Sequence, residues 1–109
     1  MKDLTHAALV TLYQRCRSAI DMAALLRHNG TPLATALQQA EHRVRAFELP
    51  PGLPEPAAEA AAAEQELMLD LMRRARIEPD AACPGQDPVD WIVMMIADRG
   101  QQLARPATE

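Results

Sequence analysis

Residues 27–33 read RHNGTPL, and their order decides how the chain is built. Upstream, Leu9, Leu12, Cys16, Ala19, Ala23 and Leu26 recur in alternating steps of three and four, the seam of a helix packed lengthwise on another. Tyr13 and Ile20 widen that seam. Asn29-Gly30 then stops the helix, because glycine takes the left-handed conformation that closes a helix at little cost. Thr31-Pro32 starts a new one at once, with Thr31 expected as N-cap and Pro32 at the first helical position. Downstream, Leu33, Leu37, Ala40, Val44 and Phe47 fall on one line. Two long helices joined by so short a connection form an antiparallel hairpin. The expected spans are 4–28 and 32–48.

The rest of the chain continues in the same material. Half of the 109 residues are apolar, but the aromatics number one Trp, one Tyr and one Phe. Ala, Leu, Met, Glu, Gln and Arg dominate, all good helix formers, and no stretch alternates with period two long enough for a strand. LPPGLPEP (49–56) cannot be helical and reads as a stiff loop between helices of one domain. A third helix is expected over 56–77, with Leu67, Met68, Leu71, Met72 and Ala75 facing inward. Glu55, Glu59, Glu64 and Glu66 crowd the first half, and Arg73, Arg74 and Arg76 crowd its end, an order that complements the helix dipole. The opening AAEAAAAE carries small side chains, so it is expected to bury little and to fray. EPDAACPGQD (78–87) reads as a second loop containing Cys83, and Asp87-Pro88 caps a last helix over 88–104. The expectation is a single helical domain, residues 1–109. It is an all-α four-helix bundle built on the N-terminal antiparallel hairpin, with completion by a second copy of the chain as an open alternative.

Composition narrows the functional classes. Net charge is −4, split unevenly: residues 1–50 carry six basic and four acidic side chains, residues 51–109 five and eleven. An acidic chain without a basic stripe is a poor ligand for phosphate backbones. Lys2 is the only lysine, a bias typical of a GC-rich bacterial genome. Lys2 is followed directly by Asp3, and Arg15, Arg17 and Asp21 interrupt the first helix, so neither a signal peptide nor a membrane span is expected and the cytoplasm is the default compartment. Cys16 and Cys83 form no metal or redox motif.

The informative stretch is PVDWIVMMIADRG (88–100), apolar from Val89 to Ala97 except for Asp90. At 100° per residue, Val89, Ile92, Val93, Ile96, Ala97, Leu103 and Ala104 gather on a core face with Gly100 among them. Trp91, Met94 and Met95 fall opposite, beside Asp98, Gln101 and Gln102. One explanation is that both faces are core, since Met and aromatics fill gaps. The other is a contact surface with Trp91 as anchor, Met94 and Met95 as adaptable flanks and Asp98 as rim. The second is preferred. Asp90, Asp98 and Arg99 would then set the partner's orientation.

Catalytic chemistry finds little support. His6, His28 and His42 lack the paired spacing that metal binding needs and read as surface or capping residues. RHNG resembles the phosphoacceptor region of histidine phosphotransfer domains only superficially, because Gly30 ends the helix and the following lysine is missing. Glu59, Glu64, Glu66 and Asp70 resemble the acidic set of magnesium-dependent helical nucleotide pyrophosphatases, but no ExxE pair occurs. The hairpin is too long-armed for a DNA-reading helix–turn–helix. No cofactor or metal site is expected. The chain reads as a small non-enzymatic protein–protein interaction module of adaptor, chaperone or inhibitor type, binding another protein or itself through Trp91, Met94, Met95 and Asp98. A reduced pyrophosphatase-like protein and a DNA-binding regulator are the alternatives.

Overall fold

The computed structural model describes the backbone of residues 4–49 and 51–104, and side chains from His6 to Leu49 and from Pro51 to Gln102. Five helices occur among them and no strand: α1 (Leu4–His28), α2 (Leu33–Ala46), α3 (Glu55–Ile77), the single turn α4 (Pro79–Ala82) and α5 (Pro88–Ala104). The chain is an all-α helical bundle. Leu103 and Ala104, expected on the core face, lie outside the described side chains.

The α1–α2 turn closes as the sequence demands. Gly30 has φ +98°, and its N–H donates to the Arg27 carbonyl at 3.0 Å, while the Thr31 N–H donates to the Leu26 carbonyl at 2.9 Å. These two bonds make a Schellman motif and satisfy carbonyls that the helix end would otherwise leave bare. The same motif corrects the expected cap of α2. Thr31 is committed to closing α1, so Pro32, extended at ψ 148°, becomes the residue before the helix and no side chain caps α2. α2 also ends earlier than expected, at Ala46, with Phe47 extended behind it. Its terminal carbonyls are met from α3: the Gln65 amide donates to the Val44 carbonyl at 2.7 Å and to the Phe47 carbonyl at 3.3 Å.

Cross-links fix the helix directions. Arg27 meets Asp87 and Tyr13 approaches Gly100, so α5 runs antiparallel to α1. Arg76 meets Glu41 and Gln65 meets Val44, so α3 runs antiparallel to α2. The order is therefore up-down-up-down. α1 touches α2, α3 and α5, whereas α3 and α5 touch each other sparingly.

The core runs through this arrangement, with Leu12, Ile20, Leu37, Met68, Met72 and Ile92 out of solvent. Cys16 lies among them on the α1 seam. Three expectations need correction. Leu67 is 40% exposed, and Leu69 takes its place inside, because α3 turns its buried stripe further toward α2. The alanine-rich start of α3 is not a bare arm: Ala57 and Ala61 are fully buried, small side chains permitting close helix approach. The stretch 78–87 is not all loop. Pro79 has no N–H with which to extend α3, yet it suits a helix start, and α4 forms one turn from it. That turn buries Cys83, whose thiol donates to the Pro79 carbonyl at 3.3 Å.

Candidate interaction surface

α5 is positioned by the residue just before it and by one near its end. Asp87 caps it: one carboxylate oxygen accepts the Val89 N–H at 2.9 Å and the Asp90 N–H at 3.3 Å. The other oxygen accepts from Arg27 at 3.0 Å, which ties the start of α5 to the end of α1. One turn before the end of α5, Arg99 turns inward and forks onto Glu64 of α3, with Nε–Oε1 3.2 Å and Nη2–Oε2 2.7 Å. The Tyr13 hydroxyl of α1 donates to the same carboxylate at 2.5 Å. Three helices thus meet at one half-buried acid.

The electrostatics follow from this contact. Arg99's hydrogen bonds hold the Glu64 carboxyl below the usual carboxylate range, against the opposite effect of burial, and the Tyr13 hydroxyl helps. Burial, then the bond to Glu64, pushes the Tyr13 phenol upward. Arg99 rises as well, chiefly through its bonds to Glu64. Arg99, expected to help orient a partner, also commits its Nε and Nη2 donors to Glu64 and so acts as an internal clamp.

With α5 held in this way, Val89, Ile92 and Ile96 are buried, while Val93 and Ala97 are half-buried. On the opposite side Met94 is 55% exposed and Met95 37% exposed. Trp91 is divided: it packs against the core and keeps part of its surface outside. Asp98 is exposed, as are Asp90, Gln101 and Gln102. The Gln102 amide donates to Asp98 at 3.3 Å and its oxygen accepts from Arg99 at 3.4 Å, so the polar border is bonded through to the Glu64 clamp.

One residue of this surface escaped the sequence reading. Leu67 follows Glu64 by three positions on α3, and Met95 precedes Arg99 by four on α5. The two helices are antiparallel, so both residues lie one turn from the clamp in the same direction, and Leu67 comes level with Met95 across the α3–α5 seam. Its assignment to the core hid it. The signal was the leucine pair Leu67 and Leu69, which a single helix face cannot bury together.

The remaining candidates are scattered. His6, His28 and His42 are all exposed, on α1 and α2. Glu64 is occupied by Tyr13 and Arg99, Asp70 by Arg73 and Arg74 at 2.9 and 3.0 Å, and Glu59 and Glu66 point outward. Among the described residues no three His, Cys, Asp or Glu side chains gather where a metal ion would fit. No helix among them is long and apolar enough to cross a membrane. No family model, no curated protein and no solved structure matches the chain.

Proposed function

We propose that the protein is a non-enzymatic interaction module, of adaptor, chaperone or inhibitor type, whose contact surface is the outer face of α5 extended across the seam to α3. The observation that carries this is the exposure of Met94 and Met95 beside a half-buried Trp91 on α5, with Leu67 exposed on the neighbouring α3. Large apolar side chains grouped on one outer face are costly in water and are kept where a partner covers them. Trp91 supplies the anchor, since tryptophan dominates the energetics of protein contacts. Thioethers adapt to irregular surfaces. Asp98 and Gln102 form a polar border of the kind that rings such patches. Two buried, unlinked thiols fit a reducing compartment, and the cytoplasm is the proposed location.

Solution mass tests the proposal, measured by light scattering on the native chain and on a Met94→Asp, Met95→Asp variant. A native dimer that becomes a folded monomer assigns the surface to self-association. A native monomer with an equally folded variant assigns it to a different protein. Unfolding of the variant returns both methionines to the core, and a dimer that survives the substitutions moves the contact elsewhere; either result contradicts the proposal.

A further inference from the structure

The α1–α2 hairpin carries a concave surface lined by no residue of α5. Arg15, Ser18 and Met22 of α1, with His42, Arg43 and Phe47 at the end of α2, line a cavity of about 330 Å³. The polar residues among its lining are two arginines, a histidine and a serine, and none is acidic. That composition is unusual for this molecule. Of the nine described arginines, Arg17, Arg27, Arg73, Arg74, Arg76 and Arg99 each have a carboxylate within 4.0 Å, while Arg15, Arg43 and Arg45 have none among the described residues. Two of those three line this cavity.

Arg15 is also oriented. Its guanidinium lies over the Phe47 ring, 5.5 Å from the centroid, a cation–π contact that leaves its N–H groups able to donate. The one buried acid of α2, Glu41, is bound to Arg76 on the other side of the helix and does not neutralise the cavity. Two unpaired guanidiniums facing one concavity repel each other, and an anion between them removes that cost.

We propose that this cavity binds the phosphate group of a small organic phosphomonoester, with the ligand's apolar body against Met22 and Phe47. A dianion matches two guanidiniums, whose planar forks chelate phosphate oxygens in pairs. Ser18 and His42 offer further donors. The volume lies at the low end of pockets that take small molecules, enough for one ring and its phosphate. A polymer fits less well, since it needs a track of positive charge and residues 51–109 are strongly acidic.

The test is calorimetric titration with phenyl phosphate and with inorganic phosphate, on the native chain and on Arg15→Gln, Arg43→Gln and Arg45→Gln. Arg15 and Arg43 are exposed, so both variants are expected to fold, which circular dichroism checks first. Phenyl phosphate should bind saturably and more tightly than inorganic phosphate. Either Arg15→Gln or Arg43→Gln should weaken it by about tenfold, the loss of one charge-assisted contact. Arg45→Gln, on the α2–α3 side, should change nothing. Absence of binding, equal affinity for the two phosphates, or indifference to both cavity substitutions overturns the proposal. So does a single-stranded oligonucleotide that binds where phenyl phosphate does not.

Discussion

Glu41 of α2 and Arg76 of α3 are joined at two points, Nε–Oε2 2.6 Å and Nη2–Oε1 3.0 Å, with the Glu41 side chain only 6% exposed. Glu41 is the one buried charged residue among those described. A carboxylate so placed is tolerated only while its partner remains. Arg76→Ala should therefore destabilise the bundle by about 3 kcal/mol in urea unfolding, because it strands a buried charge. Replacing both, as Glu41→Leu with Arg76→Met, should recover most of that loss.

The Glu64 clamp predicts a pH effect of defined sign. The folded pKa lies below the unfolded one, so the stabilisation is complete above the unfolded carboxylate value, about 4.3, and is lost as pH falls through the lower folded value. Glu64→Gln should lower stability at neutral pH and flatten its fall under acid. A variant that keeps the native acid limb would remove Glu64 from the cause.

Thiol chemistry separates native from unfolded chains. Burial pushes the Cys16 thiol up to about 12, and burial with the nearby charges of Asp87 and Asp80 raises Cys83. Both thiols are buried, and both shifts disfavour the reactive thiolate in the folded state. Ellman's reagent should label neither cysteine in the native chain and both at once in guanidinium, with labelling rates that follow unfolding.

The two faces of α5 and its neighbours should respond oppositely to truncation. Met72, fully buried on α3, leaves a cavity when cut, and Met72→Ala should cost about 3 kcal/mol. Met94→Gln replaces a side chain more than half exposed and should stay within about 0.5 kcal/mol of native, with Met95→Gln, 37% exposed, costing well below Met72→Ala. A large cost at Met94 would show that water does not reach it.

How much of this was legible depends on whether a residue's fate is set by its own helix. The hairpin was readable because the Gly30 turn is local chemistry, and the α1 seam because Leu12, Cys16, Ala19 and Ala23 share one period. The faces of α5 were readable for the same reason, and Met94 and Met95 are exposed where the period puts them. What failed was set by partners distant in sequence. Glu41 sits beside Ala40 on the buried stripe, but only Arg76, 35 positions on, makes that bearable. Arg99 belonged by its own helix to the outer face and was drawn inward by Glu64. Leu67 and Leu69 competed for one interior, and the rotation of α3 against α2 decided between them. The Arg15–Phe47 contact joins α1 to the extended residue behind α2, a pairing no single period reveals.

The central claim is that the outer face of α5 is covered by protein, and the most direct measurement is photo-crosslinking in living cells. A benzophenone side chain would replace Met94 in one strain, Met95 in a second, and exposed Gln39 on α2 as the control in a third. The account predicts discrete heavier adducts from positions 94 and 95, absent from position 39 and abolished by Trp91→Ala; an adduct of twice the chain mass marks self-association, and any other mass a different protein. Chains that remain free at 94 and 95, or adducts equally abundant at 39, would contradict it.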